Sequence, residues 1–245
     1  MAGWYKPQSQ FYKKVIVPLL LFPVRVAEAL NVLVSGNKVI YENAQFPWVK
    51  MLEEKHEVIL SELSGILKTQ QKIPLFSDLS EEQKRITPGD DWRVYLMIAY
   101  GKTLPNAVAT CPQTISLLHK IPGIESAMFS ILEPGAKILP HRGPYNGVLR
   151  YHLGLIVPQN FNDCGIRIHQ TIYHWQKGQS IIFDDSFEHE VWNNTAENRV
   201  VLFIDFDRPL PFPVNIINKL FLNLLARSPF IQTIIERAMD AAAEN

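Results

Sequence analysis

The chain has 245 residues, 47% of them apolar and 20% charged, which is enough apolar material for one folded domain with its own core. Equal numbers of basic and acidic residues give zero net charge and a pI near 7. That removes any global electrostatic reason to expect nucleic acid or another strongly charged partner. Cys111 and Cys164 stand far apart, outside any CxxC or Cys/His cluster. Two free thiols in a reducing compartment, the cytoplasm, are expected instead of a disulfide framework.

Residues 1–43 read as an apolar, irregular extension. Lys13 and Lys14 precede the run Val15 to Phe22, and Ala27-Glu28-Ala29 imitates a small-x-small cleavage site, so the segment faintly resembles a secretory leader. Pro18 and Pro23 interrupt the run, and it falls short of the roughly 20 residues a membrane span requires. A segment that packs on the domain or touches a membrane surface is the better expectation.

Residues 44–122 read as helical support. Pro47 suits a first helical turn. Trp48, Met51, Leu52, Ile59, Leu63 and Ile66 then recur at three- and four-residue spacings. Pro112 opens a second short helix that Pro122-Gly123 stops.

From 126 to 209 the period changes to two. Short apolar runs follow at Ala127–Leu132, Val148–Val157, Gly165–Ile168, Thr171–Trp175, Ser180–Phe183, Glu190–Trp192 and Val200–Phe206, with turn residues between them. Such spacing predicts a sandwich, jelly roll or barrel core. Residues 210–245 form a helical extension in which Ile216, Ile217, Leu220, Phe221, Leu224 and Leu225 make one stripe, ended by Pro229. The stripe is expected to dock on the barrel, with peripheral membrane contact as the sharper alternative.

Strand parity brings charged residues together. In Leu149-Arg150-Tyr151-His152-Leu153-Gly154-Leu155, Arg150, His152 and Gly154 share one face. In the last strand Arg199, Val201, Phe203 and Asp205 share a face. Cationic groups turned into a barrel are costly unless an anion meets them, and an arginine fork takes a carboxylate bidentately. His141, in the turn Leu139-Pro140-His141-Arg142-Gly143-Pro144, and His189, between two strands, each stand at the edge of a strand region that also supplies an arginine. Two imidazoles suit non-haem iron, whose usual third ligand is a carboxylate. Two residues after His141, where that carboxylate is normally found, stands Gly143.

These motifs, with Phe183-Asp184-Asp185-Ser186-Phe187-Glu188-His189-Glu190-Val191-Trp192, resemble the aspartyl/asparaginyl β-hydroxylases, including relatives that hydroxylate lipid A acyl chains. The resemblance spans roughly 126–209 and weakens back to Phe46. It implies a mainly β fold with flanking helices, a double-stranded β-helix (jelly-roll, cupin-like) barrel within an oxygenase domain of 44–209. It also implies an iron site lacking the carboxylate, so Gly143 agrees with the family.

By that resemblance His141 and His189 are metal ligands for Fe(II), and Arg199 pairs with the far carboxylate of the cosubstrate 2-oxoglutarate. Arg150, His152 and Ser130 also bind the cosubstrate, and Asp185 holds a water where the missing ligand would be, unless it is only a turn-forming Asp. The implied reaction uses dioxygen to hydroxylate an unactivated C–H bond. The family's centre of gravity favours the β-carbon of an Asp or Asn residue in a peptide or protein. The alternative substrate is a lipid-linked acyl chain, which the apolar terminal segments would suit at a membrane surface. A non-catalytic β-barrel binding module is the third reading. His56, His119, His169 and His174 are expected to be structural or at the surface.

Overall fold

A computed structural model describes residues 17–68 and 73–243. Lys13, Lys14 and the start of the apolar run at Val15 and Ile16 lie outside the described residues. The first described element is a helix, α1 (Val17–Ser35), which corrects the irregular reading. Pro18 sits in its first turn, where a missing N–H costs nothing, and Pro23 lies inside it.

After β1 (Ile40–Tyr41), the helical stretch that follows Pro47 divides at Lys55 into α2 (Trp48–Glu54) and α3 (His56–Lys68). Val49, Leu52, Ile59, Leu63 and Ile66 form its buried face. Next come α4 (Phe76–Leu79), β2 (Trp92–Ala99), β3 (Lys102–Thr103), α5 (Pro105–Thr110) and α6 (Pro112–Leu118). The strand β2 overturns the all-helical reading of 44–122. It is covered on both faces, so its sequence is a nearly continuous apolar run without a period of two.

The remaining strands are β4 (Ile124–Leu132), β5 (Lys137–His141), β6 (Val148–Ile156), β7 (Cys164–Ile168), β8 (Thr171–Tyr173), β9 (Ser180–Phe183), β10 (His189–Asn193) and β11 (Arg199–Asp207). Two helices follow, α7 (Val214–Ala226) and α8 (Pro229–Ala243). His141 therefore ends a strand, not a turn. β5 is the edge of its sheet, where Pro140 is tolerated because an outward-facing N–H is not needed.

The strands form two antiparallel sheets, ordered β1-β9-β6-β11-β4-β2-β3 and β5-β10-β7-β8. They close over one interior cluster that takes Val94, Met128, Val201 and Phe203 from the large sheet and Ile138, Ile166 and Val191 from the small one. This is the double-stranded β-helix. The large sheet's other face carries Phe129, Leu149, Tyr151, Leu153, Leu202 and Ile204 against α2, α3 and α6. The parity read from the sequence holds: Arg150, His152 and Gly154 point between the sheets while their neighbours face the helices. Cys111 and Cys164 are buried free thiols.

The C-terminal stripe docks only in part: Phe221 packs on Tyr145 and Leu225 on the interior cluster, while its other members face solvent. Ile216, Ile217, Leu220 and Leu224 are 57%, 44%, 60% and 60% exposed, whereas Val214, Asn218 and Leu222 face inward. A polar network explains the choice. The Tyr145 hydroxyl donates to Asn218 Oδ1 at 2.7 Å, and Asn218 Nδ2 donates to the Gly147 carbonyl at 2.9 Å. Among the described residues no helix is long and apolar enough to cross a membrane.

Candidate active site

β5 and β10 are neighbours in register, and His141 and His189 are direct cross-strand partners. Their rings lie 4.2 Å apart between centroids. The ladder is irregular immediately after this pair, as bulged strands often are beside active sites. Each ring is oriented in the same way: His141 Nδ1 meets the Leu139 carbonyl at 2.8 Å, and His189 Nδ1 meets the Phe187 carbonyl at 2.9 Å. A carbonyl accepts from a protonated Nδ1, which leaves Nε2 of both rings with a lone pair for a metal. Burial, then His141 and Arg150 nearby, pushes His189 down to about 3, and burial also lowers His141. Both rings are therefore neutral at neutral pH.

Beside them Arg150 faces Asp205 across the β6–β11 ladder. Its Nε and Nη2 donate to the two Asp205 oxygens at 2.9 and 3.1 Å, and Nη2 also lies 2.8 Å from Asp185 Oδ2. The guanidinium stacks 4.3 Å from the Phe203 ring. Burial lowers the Arg150 pKa, but Asp185 and Asp205 together carry it above its ordinary range. Asp185 is fully buried, its Oδ1 has no partner among the described residues, and burial lifts its carboxyl to about 7 against the pull of Arg150.

Gly143 explains why its position carries no ligand side chain. A Cβ there would collide with the Asp185 carboxylate, and the Gly143 N–H already donates to the Asp185 carbonyl at 2.7 Å. The Asp185 carboxylate, arriving from the β9–β10 loop, fills the space beside the histidines that a residue-143 side chain would need.

The deeper end has the opposite character. Arg199 is 1% exposed and meets no carboxylate among the described residues. Its Nη1 donates to Ser130 O and Oγ at 3.3 and 3.4 Å, its guanidinium lies 4.6 Å over the Trp175 ring, and its Nε has no partner among the described residues. Burial pulls its pKa down to about 10. Ser130 Oγ also accepts from Trp92 Nε1 at 2.9 Å.

His152 sits between the two ends, packed by Phe183, Phe203 and Trp175 at 5.2, 5.1 and 6.1 Å, with neither ring nitrogen bonded among the described residues. Burial, then Arg150 and Arg199, drives its pKa well below the usual range. The interior is polarised. Two carboxylates against one guanidinium stand next to the neutral histidines, and an uncompensated guanidinium stands at the far end.

All seven sequence-selected residues lie in this interior or at its edge. Arg150, expected against a cosubstrate, pairs with two carboxylates, Asp185 and Asp205. Trp175 and Asp205 were not singled out as site residues, although Asp205 shares parity with Arg199 and so was within reach. Trp175 carried no signal, because it closes over the site from beyond the end of β8. The other histidines are accounted for locally. His56 and His174 meet the carbonyls of Glu53 and Cys164, His119 bonds Thr103 Oγ1, and His169 packs on Phe187. Among the described residues no cluster of three or more His, Cys, Asp or Glu side chains has metal-binding geometry, so a metal here relies on the histidine pair.

Comparison with known proteins agrees with this geometry. A family model described as Aspartyl/Asparaginyl beta-hydroxylase matches residues 53–209, from α2 to the end of β11. An ornithine lipid ester-linked acyl 2-hydroxylase from Rhizobium tropici is 43% identical over 208 residues, covering 84% of this chain and 74% of that protein. The aspartyl/asparaginyl beta-hydroxylase of Homo sapiens is 33% identical over 166 residues, covering 66% and 21%. Aspartate beta-hydroxylase domain-containing protein 2 of Xenopus tropicalis is 32% identical over 179 residues, covering 68% and 46%. The chain thus spans most of the first relative and less than half of the other two. With the matched segment containing every barrel strand but β1 and both ends of the polarised interior, the chain belongs to the aspartyl/asparaginyl β-hydroxylase family of enzymes.

Proposed function

We propose that this chain is an Fe(II)- and 2-oxoglutarate-dependent dioxygenase that hydroxylates an unactivated C–H bond, and that its substrate is an acyl chain carried on a lipid. The observation that supports the cosubstrate most strongly is Arg199. A buried guanidinium without a carboxylate is costly, and it is retained where an anion arrives to pair with it. The fit extends along the interior. His141 and His189 would hold the metal through Nε2, and a divalent cation there would favour the ionised form of Asp185, whose charge with that of Asp205 exceeds that of Arg150. His152 and Ser130 offer polar atoms to the cosubstrate, and Arg199 would take its far carboxylate. Asp185 Oδ1, unpartnered, is suited to hold a water in place of the absent ligand.

When bound, iron with 2-oxoglutarate and dioxygen supplies the C–H oxidation, converting the cosubstrate to succinate and carbon dioxide. The chain's own residues orient the reactants and exclude water. Phe183, Phe203 and Trp175 line the passage between the histidines and Arg199, and Arg150 locks Asp185 against Gly143.

For the substrate, the supporting observation is the exposed apolar surface of α7, with Phe212, Ile216, Leu220 and Leu224, together with Leu33 of α1. Two helices that pack together and leave such side chains in solvent suit an interfacial contact. The Rhizobium tropici relative, which acts on a lipid-linked acyl chain, matches over a longer stretch than the family's 53–209 segment, so the likeness extends into terminal chain. Peripheral membrane attachment follows as part of this reading.

A second reading keeps a peptide Asp or Asn side chain as substrate. It is favoured by the Homo sapiens relative and by Arg142, exposed beside His141, which could meet a substrate carboxylate. Lys137 is less suited, being at the opposite end of β5, across from Trp192.

Anaerobic addition of Fe(II) and 2-oxoglutarate should give a visible charge-transfer band, absent in His189→Ala. A folded wild type showing no band would remove the iron reading. Product analysis with an acyl lipid and an Asp-containing peptide then separates the substrates.

A further inference from the structure

The chain leaving β5 carries Arg142 from His141 to the surface, and α1 lies across it. Between them opens a cleft of about 600 Å³ whose lining includes Arg25, Glu28, Val32, Arg142, Gly143 and Ser186. Its floor adjoins the metal histidines, because Gly143 is two residues from His141 and Ser186 follows Asp185. Its outer wall is fixed. Asn31 Nδ2 donates to Asn146 Oδ1 at 3.0 Å, and Asn146 Nδ2 donates to the Glu28 carbonyl at 3.1 Å. The helix α1 lies before the segment 53–209 that the family shares, so Arg25 and Glu28 are additions to the catalytic barrel.

The charges in the cleft are of both signs and lightly committed. Arg142 is exposed and makes no ion pair among the described residues. Arg25 pairs with Glu28 at 2.9 Å, three residues on, in an exposed contact of the kind that is weak and readily exchanged. Two guanidinium forks beside one carboxylate match a ligand that carries a carboxylate and an ammonium together, since the forks take the carboxylate and Glu28 the ammonium.

We propose that this cleft is a headgroup site for a zwitterionic amino-acid lipid, its carboxylate on Arg142 and Arg25 and its ammonium on Glu28. The inference rests on the acyl-lipid reading and adds selectivity to it. A headgroup anchored against His141 and Asp185 brings the carbons nearest the acyl carbonyl to the metal and leaves the distal chain to lie outward along α1. Hydroxylation is therefore expected near the carbonyl, not at the chain end.

The test is binding by the full chain without iron or cosubstrate, using three soluble probes below their micelle concentrations. These are Nα-octanoyl-ornithine, N-octanoyl-norvaline, which lacks the amine, and N-octanoyl-putrescine, which lacks the carboxylate. The wild type should prefer the ornithine probe over each of the others by roughly three- to fivefold, the size of an exposed charge pair. Arg25→Gln with Arg142→Gln should erase the preference over the putrescine probe, and Glu28→Gln the preference over the norvaline probe. Equal binding of all three by the wild type, or variants that weaken all three alike, would overturn the headgroup site. Selective binding of the ornithine probe without its hydroxylation by the iron-loaded wild type would fail the substrate reading and leave the site standing.

Discussion

Arg199 shows how a costly residue can mark a ligand. Among the described residues its partners are the Ser130 hydroxyl and carbonyl and the Trp175 indole face. Replacing such a buried cation with an apolar side chain of similar length is commonly neutral or stabilising, by about 1–4 kcal/mol. Arg199→Met should therefore melt no lower than the wild type in the apo state, yet require roughly 30-fold more 2-oxoglutarate or worse, as loss of a charge partner worth about 2 kcal/mol or more implies. Apo melting and cosubstrate titration together check this; a variant that melts well below the wild type makes Arg199 structural.

Gly143 is a second residue with a definite cost. Gly143→Ala forces a Cβ onto a carboxylate that Arg150 holds in place, so a loss of about 1–3 kcal/mol in denaturant unfolding is expected. Gly143→Asp should lose metal affinity, not gain a third ligand. His152 has its folded pKa well below 6.5. Below pH 6.5 the unfolded chain takes up a proton that the folded ring refuses, so this group's contribution to stability falls as pH falls. The stability of wild type relative to His152→Gln should fall by about 1.6 kcal/mol in all between pH 6.5 and 5 in the apo protein. Parallel curves would assign the ring a different environment.

At this scale parity was readable and register was not. A period of two showed that Arg150 and His152 share a face, and that Arg199 and Asp205 share one. It contained nothing to show that Asp205 stands opposite Arg150, or that Asp185 reaches it from another loop.

Among the elements, the period-two strands β4 and β6 to β11 were legible because each has one face in the barrel and the other under helices or in solvent. β2 was not, because burial on both faces removes the alternation. β5 was hidden by Pro140, which reads as a turn until its place at a sheet edge is known. For α7 the periodicity found the apolar residues but joined two faces into one: Phe221 and Leu225 pack inward, while Ile216, Ile217, Leu220 and Leu224 face solvent. Hydrophobic spacing shows that a face exists without showing what it meets, and Asn218, a buried polar anchor, decided the orientation. That exposed face gives an element-level prediction. Leu220→Asp with Leu224→Asp should leave unfolding unchanged while lowering binding to vesicles at least about tenfold, each inserted leucine being worth about 1.5–3 kcal/mol. Unchanged vesicle sedimentation would detach α7 from the membrane reading.

For the molecule as a whole, two sheets enclose an interior whose charge is sorted along its length, from the carboxylate-rich end at His141 and His189 to the cationic end at Arg199. Helices α2, α3 and α6 stiffen the large sheet from outside, while α1 and α7 extend the mouth. Co-crystallisation with Mn(II), an oxygen-inert substitute for iron, and 2-oxoglutarate tests this arrangement most directly. The account predicts one anomalous peak bonded to Nε2 of His141 and of His189, no protein carboxylate on the metal, and the far carboxylate of 2-oxoglutarate on Arg199. A metal bound through Asp185, or a cosubstrate carboxylate lying away from Arg199, would contradict it.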